Sequence, residues 1–260
     1  MKNLKIIPLE NIFFLDIETV PQWETLEEAP EYVRKEWVYK FKFRSDAPKP
    51  LHKDHLSNPN GQALIDKYNK YFADLWELKA GLYAEFSKIV AISAGYIYQE
   101  EAILKTYDKI EEKELLKSFS EDLISFCNYA KKPYLCAHYG EGFDYPFINK
   151  RLLINGLNIP DVLDTWGLKP WETTLLDTQK IWKFGNYSAD SGTLSSIALA
   201  FAIPSPKDDI EGADVARVYY QEKEGLKRIS KYCEKDVFTL MQVVRKIRGE
   251  QLLTPLNSLF

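Results

Sequence analysis

The chain has 260 residues, 45% of them hydrophobic and 14% aromatic, enough for one large folded domain with a full core. With 34 basic against 38 acidic residues its net charge is −4, which excludes attachment to nucleic acid by bulk charge and leaves only local basic patches for that purpose. Cys127, Cys136 and Cys233 show no paired spacing, no apolar run is long enough to span a membrane, and the start is no secretory signal, so a cytoplasmic protein without a disulfide framework is expected.

The first element is an apolar run from Asn11 that ends in Asp16-Ile-Glu18-Thr19. As a strand it places Asp16 and Glu18 on one face and Leu15 and Ile17 on the other. Two like charges one pleat apart repel and should push one pKa up, unless a hard divalent cation neutralises both. On these two acids alone, a solvated strand end and a metal site are both open. From Pro21 to about Leu56 the chain mixes Trp, Pro and charge with no sustained period, as in a loop-rich insertion or lid. Inside it, Trp37 to Arg44 alternates aromatic or apolar residues with basic ones. As a strand this gives an aromatic face and a basic face, a combination that suits single-stranded nucleic acid as well as ordinary packing. His52 and His55 lie in a charged, Pro-rich stretch and are read as solvated.

Gln62 to Leu82 carries Leu64, Tyr68, Tyr71, Leu75 and Leu78 at helical spacing. Lys88 to Tyr98 and Ala102 to Tyr107 read as an antiparallel hairpin, Glu111 to Tyr129 as a helix, and Pro133 to Ala137 as a short buried strand. After a Gly140-Glu-Gly142 turn, Tyr145 to Asn155 is helical, with Asp144 at its mouth, where it can cap the helix or serve chemistry. The remainder reads as helices over Leu175 to Trp182, Thr193 to Ala202, Glu211 to Glu222 and Glu224 to Arg248. This order of elements predicts one α/β domain over 1–260, with an insertion or lid at about 21–82.

The final helix poses a second electrostatic problem. Leu226, Ile229, Cys233, Val237, Leu240, Val244 and Ile247 form one apolar stripe, and Asp236 projects within about 40° of Ile229 and Leu240. A carboxylate there must be paired, protonated or bound to metal. Tyr232 lies one turn earlier on the same face.

Asp16-Ile-Glu18-Thr19, Gly142-Phe143-Asp144 and Tyr232-Cys-Glu-Lys-Asp236 together resemble the three motifs of the DEDD exonuclease superfamily in its Tyr-containing subtype. More narrowly, they resemble exonucleases related to the proofreading domain of family B DNA polymerases. The stretch Ile203 to Val215, followed by Tyr219-Tyr220, is also similar to that group, while Tyr139 stands near a position where the family commonly has Asn.

The resemblance implies a ribonuclease H-like fold, a mixed β-sheet flanked by α-helices, and 3′-5′ hydrolysis of nucleic acid to nucleoside monophosphates. DNA is favoured over RNA, with single-stranded ends preferred. It implies two Mg2+ or Mn2+ ions roughly 3.5 to 4 Å apart, bound by Asp16, Glu18, Asp144 and Asp236, with Tyr232 orienting the attacking water. Thr19 and Phe143 would touch the terminal nucleotide, and Lys150, Arg151, Arg245, Lys246 and Arg248 are candidate phosphate contacts. A protein partner is left open. Two competing readings are a haloacid-dehalogenase-like phosphatase with Asp16 as nucleophile, which could enlist Lys207, Asp208 and Asp209, and a non-catalytic nucleic-acid-binding module.

Overall fold

The computed structural model describes residues 2–49, 61–186, 192–204 and 210–254. The chain divides into two compact units, one formed by Met1–Glu18 with Ile89–Phe260 and the other by Thr19–Lys88. His52, His55, Lys207, Asp208 and Asp209 lie outside the described residues.

In chain order the elements are α1 (Lys2–Lys5), β1 (Ile12–Pro21), α2 (Glu31–Phe41), α3 (Gly61–Lys79), β2 (Ser87–Tyr98), β3 (Glu101–Tyr107), α4 (Glu112–Tyr129), β4 (Tyr134–Ala137), α5 (Asp144–Ile154), β5 (Leu175–Asp177), α6 (Thr178–Lys183), α7 (Leu194–Ala200), α8 (Val215–Gln221) and α9 (Gly225–Arg248). The five strands form one sheet in the order β3-β2-β1-β4-β5. β1 pairs parallel with β4, β4 parallel with β5, and β2 antiparallel with β3, giving the expected mixed α/β sheet.

Alternation along β1 sets the two helical layers. Ile12 and Phe14 share a core cluster with Val237, Leu240, Met241 and Val244 of α9. Phe13 points the other way, its ring 4.9 Å from that of Phe126 and 6.4 Å from that of Phe119, both on α4. The sheet is therefore sandwiched between α9 and α4, with Ile12 and Phe14 of β1 facing α9.

On the α4 side the layer is tied by a buried charge. Glu112 accepts from Arg151 Nε at 2.8 Å and Nη2 at 2.5 Å, from Asn155 Nδ2 at 2.9 Å, and from the Ile89 backbone N–H at 2.7 Å. Arg151 thus serves the α4–α5 contact rather than a phosphate. Arg245 is likewise buried, bonded to Glu100 and the Gln251 carbonyl, and Arg248 donates to the carbonyls of Leu4 and Ile7. These three arginines are removed from the set of candidate phosphate contacts.

Two sequence-based elements are corrected. Residues 37–41 belong to helix α2 rather than a strand, because Val33, Trp37 and Phe41 recur at four-residue spacing and are its buried face. A window starting at Trp37 cuts that stripe and leaves an apparent period of two. Leu175 to Asp177 forms β5, with the helix starting only at Thr178. Three residues are too few to show a period, and pairing with Leu135 to Ala137 decides their state.

The 19–88 unit is built on aromatic packing. Trp37 is fully buried, with ring centroids 5.1 Å from both Trp76 and Phe86 and 4.3 Å from Phe41, and its indole N–H donates to the Phe72 carbonyl at 3.0 Å.

Removing Glu112 leaves the Arg151 guanidinium buried without its acceptor, so Glu112→Ala is expected to cost about 3–5 kcal/mol of stability, read by urea denaturation. A loss below about 1 kcal/mol would contradict this role for the pair.

Candidate active site

β1 carries its alternation past the core. Beyond Ile12 and Phe14, the next residues on the α9 side are Asp16 and Glu18. The apolar stripe of α9 covers Ile12 and Phe14 through its C-terminal half and meets the two acids through its N-terminal half, where Tyr232, Cys233 and Asp236 lie. The Cys233 thiol reaches the Asp16 backbone oxygen at 3.4 Å and Asp16 Oδ2 at 3.5 Å. One ligand atom each from Asp16, Glu18 and Cys233 lies within 4.8 Å of the other two. Glu18 and Cys233 are buried and Asp16 half-buried.

Asp144 arrives from the neighbouring parallel strand. It is the first residue of α5, with Phe143 rather than Asp144 in the capping position and making no side-chain cap. The Asp144 carboxylate accepts from its own backbone N–H and from that of Ile17, between Asp16 and Glu18, so a side-chain-to-backbone bond links α5 to β1 at the acids. Burial pushes its pKa up to about 7, the two backbone N–H bonds oppose that rise, and the Asp177 carboxylate adds to it.

The turn between β4 and Asp144 is narrow. Tyr139 has φ 64°, in the left-handed region where Asn is more at ease than Tyr, which gives a conformational reason for Asn at such a position. At Gly140 a Cβ would meet the Ala137 Cβ at 2.5 Å and the Tyr145 ring at 2.8 Å. The turn is fastened by Asp177, a residue the sequence reading did not single out. Its Oδ1 accepts from Tyr139 N–H at 3.0 Å and Gln179 N–H at 2.9 Å, and its Oδ2 from Glu141 N–H at 3.2 Å. The available signal was an Asp directly before a helix start, where a capping side chain is expected.

Tyr232 and Asp236 are half-buried on α9, and the Tyr232 hydroxyl bonds Asp236. Burial first, then the charges of Asp236, Glu18 and Asp16, push the Tyr232 pKa above its ordinary value, so the phenol stays protonated at neutral pH. Asp16 is raised well above the usual carboxylate range by burial and by Asp144, Glu18 and Asp236, with the Cys233 bond opposing. Glu18 is raised by burial, Asp236 and Asp144. The structure therefore brings Asp16, Glu18, Asp144, Tyr232 and Asp236 into one mutual field, although Asp144 and Asp236 stand outside the tight triple formed with Cys233. Carboxylate oxygens crowded at this density suit a hard divalent cation, and the Cys233 sulfur is the one soft donor beside them.

The other two site residues fall differently. Phe143 is half-buried with its ring 5.1 Å from Phe147. Thr19 belongs to the 19–88 unit, where its hydroxyl donates to the Gly81 carbonyl at 2.7 Å. Beside Tyr232 a groove of about 770 Å3 follows the first half of α9, lined among others by Thr106, Asp108, Lys227, Lys231 and Lys235.

A carboxylate whose pKa is higher folded than unfolded stabilises the protein below its unfolded value and loses that contribution as pH rises through the folded one. For Asp144 the window runs from 3.8 to about 7. Without divalent ions, the thermal midpoint of wild type should therefore fall relative to Asp144→Asn as pH is raised from 4 to 8, by differential scanning fluorimetry in EDTA. A difference between the two proteins that does not change with pH would refute the shift.

A model of the RNase_H superfamily matches residues 79–248, a span that contains Asp144, Tyr232 and Asp236 and begins downstream of Asp16 and Glu18. No curated protein matches the chain. Among solved structures, the chain is similar to the family B DNA polymerase from the hyperthermophilic archaeon Pyrobaculum calidifontis, at 12% identity and a TM-score of 0.49, covering 90% of this chain and 24% of that one. It thus spans about a quarter of that polymerase's length. With the matched region extending over more than half of its residues, from β2 through α9, the chain belongs to the RNase_H superfamily.

Proposed function

We propose that this chain is a divalent-metal-dependent 3′-5′ exonuclease that removes nucleoside monophosphates from single-stranded nucleic-acid ends, DNA in preference to RNA. The observation that carries the reading is the convergence of Asp16, Glu18, Asp144 and Asp236 in one field whose leading influences are burial and one another's charge. Membership of the RNase_H superfamily and the order of the three motifs along the chain support it.

Asp16, Glu18, Asp144 and Asp236 would hold two Mg2+ or Mn2+ ions. When bound, such ions lower the pKa of a coordinated water and offset the charge that grows on the phosphate and the leaving 3′ oxygen. Tyr232 keeps its proton and donates a hydrogen bond to Asp236, so its role is to orient the attacking water by accepting a hydrogen bond on the phenol oxygen rather than to deprotonate it. The Ile17 N–H keeps Asp144 on β1, and Asp177 keeps the intervening turn in place. The groove beside Tyr232 offers a path for the strand next to the reacting end. The superfamily assignment sets the haloacid-dehalogenase reading aside, and that reading also leaves the Tyr232–Asp236 contact without a task.

The test is digestion of 5′-labelled single-stranded DNA, duplex DNA and RNA with Mg2+ or Mn2+, then with EDTA. A metal-dependent ladder shortening from the 3′ end is expected, fastest on single-stranded DNA. Asp16→Asn and Asp236→Asn should each lose more than about a hundredfold in kcat with the fold intact, and Tyr232→Phe should lose less than either. Full activity of Asp236→Asn would remove α9 from the metal site. Retained DNA binding without cleavage by wild type would replace the enzyme with a binding module.

A further inference from the structure

Helix α2 of the 19–88 unit presents two different aromatic faces. Val33, Trp37 and Phe41 form the buried one. At about 100° per residue, Tyr32, Lys35, Tyr39 and Lys42 fall in a second stripe on the opposite side, and Phe43 follows just beyond the helix end. Tyr39 is 60% exposed and Phe43 80% exposed, so neither ring contributes much to the core. The Lys42 ammonium sits 4.0 Å from the Tyr39 ring centroid and 4.8 Å from that of Phe43, so both rings flank one cation in a single patch.

The charge around the patch is positive in an otherwise acidic protein. Between Glu31 and Lys49 there are Arg34, Lys35, Lys40, Lys42, Arg44 and Lys49 against Glu31, Glu36 and Asp46, within a chain of net charge −4. Lys35 pairs with Glu31 and Arg44 with Asp46, while Lys40 is exposed and lies over the Tyr83 ring at 4.8 Å. An outward helical stripe is ordinarily polar throughout. Here it holds large rings alternating with ammonium groups, the pairing that accepts a flexible polyanion whose bases are free to stack.

We infer that the Tyr39–Lys42–Phe43 patch binds single-stranded nucleic acid, stacking bases on the two exposed rings and drawing the phosphates to Lys42. The inference rests on the nuclease reading for its choice of partner, and on the patch's own exposure and charge for its location. The strand is bound without sequence preference, since every base has a π-face. Duplex, whose bases are already stacked, gains only the electrostatic part.

The experiment compares wild type with Tyr39→Ala/Phe43→Ala and with Lys42→Glu. Binding of fluorescein-labelled dT20, rU20 and a 20-base-pair duplex is followed by anisotropy in EDTA, where no turnover competes. Hydrolysis of the p-nitrophenyl ester of thymidine 5′-monophosphate, which engages only the reacting end, is followed in Mn2+. Both variants are expected to keep the wild-type thermal midpoint and ester hydrolysis and to bind single-stranded oligomers at least tenfold more weakly, while duplex binding should change little in Tyr39→Ala/Phe43→Ala and fall in Lys42→Glu, which reverses the patch's charge. Lys42→Glu should also lower the salt dependence of dT20 binding. Single-strand affinity in both variants equal to wild type overturns the patch. If wild type hydrolyses neither the ester nor DNA yet the variants lose dT20 binding, the exonuclease reading fails while the patch stands. Comparison of dT20 with rU20 identifies the sugar the patch accepts.

Discussion

The structure turns on an electrostatic constraint: the carboxylates of Asp16, Glu18, Asp144 and Asp236 act on one another in a partly desolvated pocket. Burial and like charge both favour the protonated forms, so the arrangement is costly for the ionised chain by itself. A solvated surface would relax such repulsion by letting side chains turn outward. Here Glu18 and Asp144 are buried, and Asp144 is fastened to the Ile17 N–H. The protein maintains the repulsion rather than escaping it, which is the condition under which a divalent cation gains most from binding.

Much of the surrounding architecture keeps that cluster in place. The sheet is anchored on one face by α9 and on the other by α4, so β1 has little freedom to rotate its acids away from α9. Glu112 joins α4 to α5 through Arg151 and Asn155, and α5 begins at Asp144. Asp177 holds the Tyr139–Glu141 turn that leads into it, accepting the N–H of a residue in the left-handed region. A buried ion pair and a buried capping carboxylate thus both support the short segment that sets where one acid sits.

Parts of this were legible in the chain alone. The position of Asp236 on an apolar helical face and the alternation of Asp16 and Glu18 both follow from backbone periodicity, which needs no tertiary information. The hairpin of β2 and β3 was also readable, although its two-residue loop, Gln99 and Glu100, has both residues at positive φ without the usual Gly or Asn. Helix α2 was misread because aromatic rings stand on both its buried stripe of Val33, Trp37 and Phe41 and its exposed one of Tyr32 and Tyr39. Composition in a short window cannot tell which ring packs. β5 was missed for a related reason, since a three-residue strand exists only through its partner β4.

By itself the sequence determined which residue types carry charge on which face of their own element, because side-chain direction within a strand or helix is a local property of the backbone. Only the tertiary structure decided what those faces meet. It set Cys233 against Asp16 across 217 positions of chain, placed Asp177 under the turn before Asp144, and buried Arg151 on Glu112 instead of leaving it for a phosphate. It also turned Trp37 inward and Tyr39 outward. Such pairings depend on which surfaces the packed layers bring within a few ångströms, and no periodicity within one element contains that information.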